Sequence, residues 1–94
     1  MRWILVLAVL VATGCGPSME DIIKLEHEAA ACQPGDTCVF ANASECTCGD
    51  AVNASQLAHV NDEVAHVACG STEVLCRAEV NPRCENGLCV SDPE

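Results

Sequence analysis

Nine cysteines in a chain of 94 residues are the side chains with most chemistry to offer: Cys15, Cys32, Cys38, Cys46, Cys48, Cys69, Cys76, Cys84 and Cys89. Thiols at this density pair as disulfides, hold a soft metal ion or act as nucleophiles. Spacing separates the three. The chain has no Cys-x2-Cys, the spacing shared by zinc ribbons and thioredoxin-like exchange sites, so neither a zinc centre nor a redox enzyme is expected. Cys46-Thr47-Cys48 has the Cys-x-Cys form found in copper-binding chains. Two cysteines that close do not bridge each other comfortably, however, so each is expected to reach a different part of the chain.

The histidines are weaker candidates. His59 and His66 sit seven residues apart with Asp62 and Glu63 between them. Metal ligands on one helix are usually three or four apart, which leaves only His59–Glu63 and Asp62–His66 well spaced. These residues read as a solvated polar face. No serine has the strand-turn-helix context of a nucleophile elbow, so no catalytic residue, enzyme activity or cofactor is expected.

The elements that must position the cysteines follow from local patterns. Ser18 can cap a helix over "MEDIIKLEHEAAA", residues 19–31, with Asp21 in the capping-box position and Ile22, Leu25 and Ala29 as a narrow apolar stripe. It reads as a short exposed stalk, residues 15–31. Pro34-Gly35-Asp36 marks a turn before a β-prone run from Thr37 to Ala41, and residues 42–50 read as a loop. Leu57, Val60, Val64 and Val67 recur at helical intervals, so a helix is expected over about 51–69, with Asp50 as N-cap and Gly70 beyond its end. Asn86-Gly87 is a two-residue hairpin signal. Cys84 and Cys89 fall opposite each other across it, where they either bridge directly or face one side and bond two other segments. Pro82 confines any strand there to an edge. The tail, residues 91–94, is expected to fray. The fold class is a small disulfide-rich α+β domain, residues 32–90, with one central helix on a small antiparallel sheet or hairpin.

Residues 1–14 have the form of an export signal: Arg2, an unbroken apolar run from Trp3 to Ala12, then small residues. The run is too short to span a bilayer, which takes about 20 residues. Ala12-Thr13-Gly14-Cys15 resembles the lipobox of bacterial lipoproteins, with Ala12 where Leu is commonest. The resemblance implies cleavage before Cys15 and a diacylglycerol on its sulfur. Setting Cys15 aside for lipid leaves an even set of cysteines, Cys32 to Cys89, which can all pair; the full set of nine cannot. The alternative is a secreted chain in which Cys15 is an ordinary disulfide partner. Connectivity stays open, since so many cysteines allow on the order of a hundred pairings.

Composition explains why staples are needed. Beyond the signal there is one Phe, no Trp and no Tyr, and the apolar residues are mostly Val and Ala. At about 25 cal/mol per Å2 such side chains bury too little surface to offset chain entropy without help. Charge limits the partners. Removing Arg2 leaves Lys24, Arg77 and Arg83 against 14 acidic residues, so the formal charge moves from −10 to −11. A field of that sign repels phosphate backbones and excludes nucleic acid as a natural partner. The expected partners are the membrane, through the N-terminal lipid, and an unknown protein or envelope ligand.

The order of motifs from Cys32 to Val90, including Cys46-Thr47-Cys48-Gly49 and Cys84-Glu85-Asn86-Gly87-Leu88-Cys89, resembles small cysteine-rich lipoproteins of bacteria. This resemblance implies a disulfide scaffold on a lipid tether in the cell envelope. Gly16 stands where an Asp would hold a lipoprotein at the inner membrane, which favours the outer one. The leading expectation is thus a lipid-anchored interaction module. Two alternatives remain: a small secreted protease inhibitor using Arg77 to Arg83 between Cys76 and Cys84, and a metal-binding envelope protein using free thiols with His59 and His66.

Overall fold

The computed structural model describes residues 16–71 and 73–94, so the expected export signal and Cys15 lie outside the described residues. Helix α1 (Met19–Ala29) comes first and is followed by strand β1 (Cys38–Phe40). Strand β2 (Ala51–Asn53) leads through a 3-10 turn (Ala54–Gln56) into helix α2 (Leu57–Val64). Strands β3 (Glu79–Glu85) and β4 (Leu88–Pro93) close the chain. The chain is a disulfide-rich α+β fold, as its sequence predicts, but its parts differ from the expected ones in four places.

The first concerns α1. Its start is as predicted: the Asp21 N–H donates to Ser18 Oγ and the Ser18 N–H donates to Asp21 Oδ2, both at 3.1 Å. These bonds hold the Asp21 carboxyl below the usual carboxylate range. The helix is not an exposed stalk, however. Ile22 is fully buried and Ala29 nearly so, and both join Ala41, Val52, Val60 and Val64 in the main apolar cluster. A core this poor in large side chains draws in Ile22, the largest of its fully buried side chains. The chain before the helix is docked as well. The Ala68 N–H donates to the Pro17 carbonyl at 2.7 Å, and a Cβ on Gly16 would meet the His66 carbonyl oxygen at 2.5 Å. Gly16 also has φ +70°, so both space and backbone conformation demand glycine there.

Second, the helix expected over 51–69 is shorter. Ala51, Val52 and Asn53 pair antiparallel with Phe40, Val39 and Cys38. Val52 is β-branched and fully buried, which suits a strand. Asp50 therefore caps nothing. Asn53 takes that role for the 3-10 turn, its Oδ1 accepting from the Ser55 N–H at 3.0 Å. Helix α2 stops at Val64 because the chain beyond it is committed elsewhere, Ala68 to Pro17 and Cys69 to Cys46. The apolar face is the predicted one, with Val60 and Val64 buried and Leu57 and Val67 packed at its margins.

Third, the described residues form two antiparallel sheets of two strands each, β1–β2 and β3–β4, with β1 beside β3 and β2 beside β4. Fourth, residues 91–93 are strand, not frayed tail. Ser91 Oγ donates to Glu79 Oε1 at 2.8 Å, and the Arg83 guanidinium holds Asp92 at 3.0 Å. The hairpin turn is as predicted, Asn86 and Gly87 both having positive φ (52° and 83°), the pair of values that a two-residue turn of matching twist needs. Pro82 sits where the register shifts between Val80 and Arg83, so its missing N–H interrupts no ladder.

Four disulfides join these parts: Cys32–Cys84, Cys38–Cys89, Cys46–Cys69 and Cys48–Cys76. Cys84 and Cys89 are register partners, yet each bonds outward, the second of the two expected arrangements. Cys46 and Cys48 reach separate residues, as their spacing requires. Each closed loop of this length contributes about 3–4 kcal/mol, less when loops interleave, against an ordinary margin of about 5–15 kcal/mol. Reduction of the protein from Gly16 onward is therefore expected to abolish its cooperative thermal transition and most of its helical circular dichroism. A retained transition contradicts disulfide dependence. Helix α1 has its own test in urea denaturation of the oxidised protein. Ile22→Ala should lower stability by about 2–5 kcal/mol, whereas Ile23→Ala, at a residue 54 % exposed, should change it by less than about 0.5 kcal/mol.

Candidate functional site

Helix α1 packs on α2 and β2, and the gap between it and the second half of the hairpin is a cleft of about 320 Å3. Its position follows from two backbone bonds at one end. The Cys32 N–H donates to the Gly87 carbonyl at 3.0 Å, and the Cys89 N–H donates to the Ala30 carbonyl at 2.7 Å. The disulfides Cys32–Cys84 and Cys38–Cys89 lock the same junction. Farther along α1 no such bonds join the two elements among the described residues, and the cleft opens between Ile23 and Glu26 of α1, with Ala30 at its end, and Leu88 to Ser91; Asp50 and Ala51 also line it.

Glu26 is the unusual residue. It falls four residues after Ile22 and three before Ala29, so helical geometry points it at the core with them. It is 3 % exposed, and its Oε2 is buried without a hydrogen-bond partner. Burial pushes its carboxyl up to about 7; the charge of Asp50 acts in the same direction, and the Asp50 backbone N–H opposes both. An unpaired carboxylate in such a place is costly, so the group holds its proton until near neutrality. The rim is different in character, with Ile23 and Leu88 exposed at 54 % and 43 %. Among the described residues, no Lys or Arg lines the cleft. An apolar entrance over an acidic floor suits a ligand with an aliphatic body and a polar or cationic end.

All of the cysteines predicted to pair do so: Cys32, Cys38, Cys46, Cys48, Cys69, Cys76, Cys84 and Cys89. Among the described residues, the one convergence of three metal-ligating groups is Cys32, Cys38 and Cys89, whose sulfurs belong to two neighbouring disulfides. Bonded sulfur is a poor ligand, because the thiolate is what binds metal. His59 is exposed, and the His66 Nδ1 lies 2.8 Å from the Asp62 carbonyl oxygen. The segment expected as a disulfide-framed loop, Arg77 to Arg83, is divided. Arg83 lies in β3, paired with Glu85 and Asp92, and only Arg77 stays on the exposed approach to the strand. Cys15 is outside the described residues. Among those described, no helix is long and apolar enough to cross a membrane.

The sequence reading missed Glu26, although a signal for it exists. A carboxylate at i+4 from Ile22 and i−3 from Ala29 sits inside an apolar stripe, where a solvated residue does not belong. No protein family, curated protein or solved structure matches the chain in comparisons of its sequence and fold.

The Glu26 carboxyl has a direct consequence for stability. Its value in the folded protein, about 7, lies above the ordinary 4.5, so between those limits the native state holds a proton that the unfolded chain has released. The contribution is thus fully present below pH 4.5 and declines as pH rises through about 7. The decline amounts to no more than about 3.5 kcal/mol. Denaturant unfolding across this range should show it in the oxidised wild type. Glu26→Gln, which cannot ionise, should flatten the profile and be the more stable protein at pH 8.

Proposed function

We propose that the mature chain is a disulfide-stabilised interaction module, tethered by lipid on Cys15 at the bacterial cell envelope, with the cleft between α1 and β4 as its ligand site. The observation that carries this reading is the buried Glu26 carboxyl that lines the cleft, whose Oε2 has no hydrogen-bond partner among the described residues. A small domain with so little apolar core gains nothing in stability from a buried acid, so a role in recognition accounts for it best. The disulfides Cys32–Cys84 and Cys38–Cys89 support the same reading, because they lock the junction of α1 and the hairpin and leave little to be ordered when a ligand enters. Complete pairing of the cysteines from Cys32 to Cys89 leaves Cys15 without an intrachain partner, which supports lipid as its fate.

The role proposed is recognition, not catalysis. Of the cleft's side chains, Cys89 is in a disulfide and Ser91 donates its hydroxyl to Glu79 at 2.8 Å. The tether is tested by metabolic labelling with palmitate in a bacterial host. Wild type should incorporate label and Cys15→Ser should not. Equal incorporation by both, or by neither, removes the anchor from the proposal.

A further inference from the structure

We infer that the cleft between α1 and β4 is a site for an alkylammonium group, its charge against the Glu26 carboxylate and its methylene chain between Ile23 and Leu88. The inference rests on the cleft being the ligand site and adds the class of ligand. Three features of the cleft point to it. Its lining includes an acid whose Oε2 has no hydrogen-bond donor among the described residues, although the group is only 3 % exposed. Its rim carries two of the four large hydrophobic side chains that are exposed among the described residues, Ile23 and Leu88. Its titratable lining groups are Glu26 and His27 from α1 and Asp50 from the chain entering β2; β4 contributes Leu88 to Ser91, none of them charged. Two carboxyls without a lysine or arginine leave the charge balance to be completed from outside.

Geometry favours ammonium over the other cations. A guanidinium binds best to a planar pair of acceptor oxygens, and here a single oxygen is unpartnered. A divalent metal needs three or more converging ligand atoms, and Glu26, His27 and Asp50 do not form such a cluster. An ammonium is a compact point charge on a flexible stem, and its stem can lie along an apolar wall. The volume of about 320 Å3 is at the small end for ligand sites, enough for one such chain.

Binding is coupled to the proton on Glu26. An alkylamine stays charged throughout the neutral range, while the carboxyl has to release its proton to attract it. Affinity should therefore be highest at pH 8 and fall toward tenfold per unit once the pH is well below the carboxyl's value. The ammonium has two sources, a free small amine or a lysine side chain on a partner protein.

The test uses the exported, oxidised protein in non-ionic detergent, labelled with 15N and 13C and followed by nuclear magnetic resonance. The probes are n-butylammonium, N-acetyl-lysine methylamide, and n-butanol as the uncharged control. At pH 8 both amines should shift the amides of Ile23, Ala51 and Leu88, with dissociation constants on the order of millimolar. Glu26→Gln should weaken both by about tenfold or more. In the wild type, saturating butylammonium should lower the midpoint of the Glu26 carboxyl titration, a measurement that decides the matter even if the variant does not fold. Tighter binding of the lysine derivative assigns the site to a protein partner, and tighter binding of butylammonium assigns it to a free amine. Butanol acting as well as the amines, with Glu26→Gln indifferent, overturns the cation while leaving the cleft as a ligand site. No response of the cleft amides to any probe, or an unmoved carboxyl midpoint, overturns the inference.

Discussion

The bond pairs Cys32–Cys84 and Cys38–Cys89 fix the end of α1 and the start of β1 against the C-terminal hairpin, and the other features of the molecule are arranged around that junction. Its apolar content is only Cys32, Cys38, Ala51 and Cys89, with Ala30, Phe40 and Cys84 alongside. Contacts of that size would not hold a hairpin to a helix against thermal motion. The sulfur bridges supply the persistence, and the two backbone bonds between residues 30–32 and 87–89 supply the register. The second pair of disulfides does the same for the loop at 42–50, which has no regular structure of its own.

Because covalent links carry so much of the stability, the noncovalent core is free to contain an imperfection. Glu26 is that imperfection. In a domain held together by burial alone, a carboxyl between Ile22 and Ala29 would remove a large share of the margin. Here the cost falls on a chain whose unfolded state is already restricted by four closures. The same arrangement keeps the cleft open, since a gap between two cross-linked elements cannot collapse as a gap between two merely packed ones can.

Much of the architecture is legible in local patterns, and what is not has physical reasons. The cap at Ser18, the turn at Asn86-Gly87 and the α2 face are local effects, encoded within a few residues, and all three are present as read. The fate of Val52 is not local. Its helical spacing relative to Leu57 is compatible with a helix, and only pairing with Val39 decides for strand. The burial of α1 is similarly a property of the whole chain: a narrow stripe of Ile22, Leu25 and Ala29 looks too small to dock, and docks because the core has little else to bury. The disulfide partners depend on long-range geometry alone. Glu26 was legible in principle, because its place in the stripe contradicts its polarity, but polarity usually wins that reading.

The disulfides also order events in time. Their loops interleave in two sets: Cys46–Cys69 crosses Cys48–Cys76, and both lie inside the span of Cys32–Cys84 crossing Cys38–Cys89. A chain made from its N-terminus can complete the inner set as soon as Cys76 has emerged. Cys32 and Cys38 then wait, adjacent and unmatched, until the last residues of the hairpin appear. During that interval the easiest wrong bond is the one between the two waiting thiols, and undoing it takes an isomerase or a reducing thiol. The final strand is thus a latch, and its arrival turns a half-oxidised chain with reactive sulfur at its surface into a closed one.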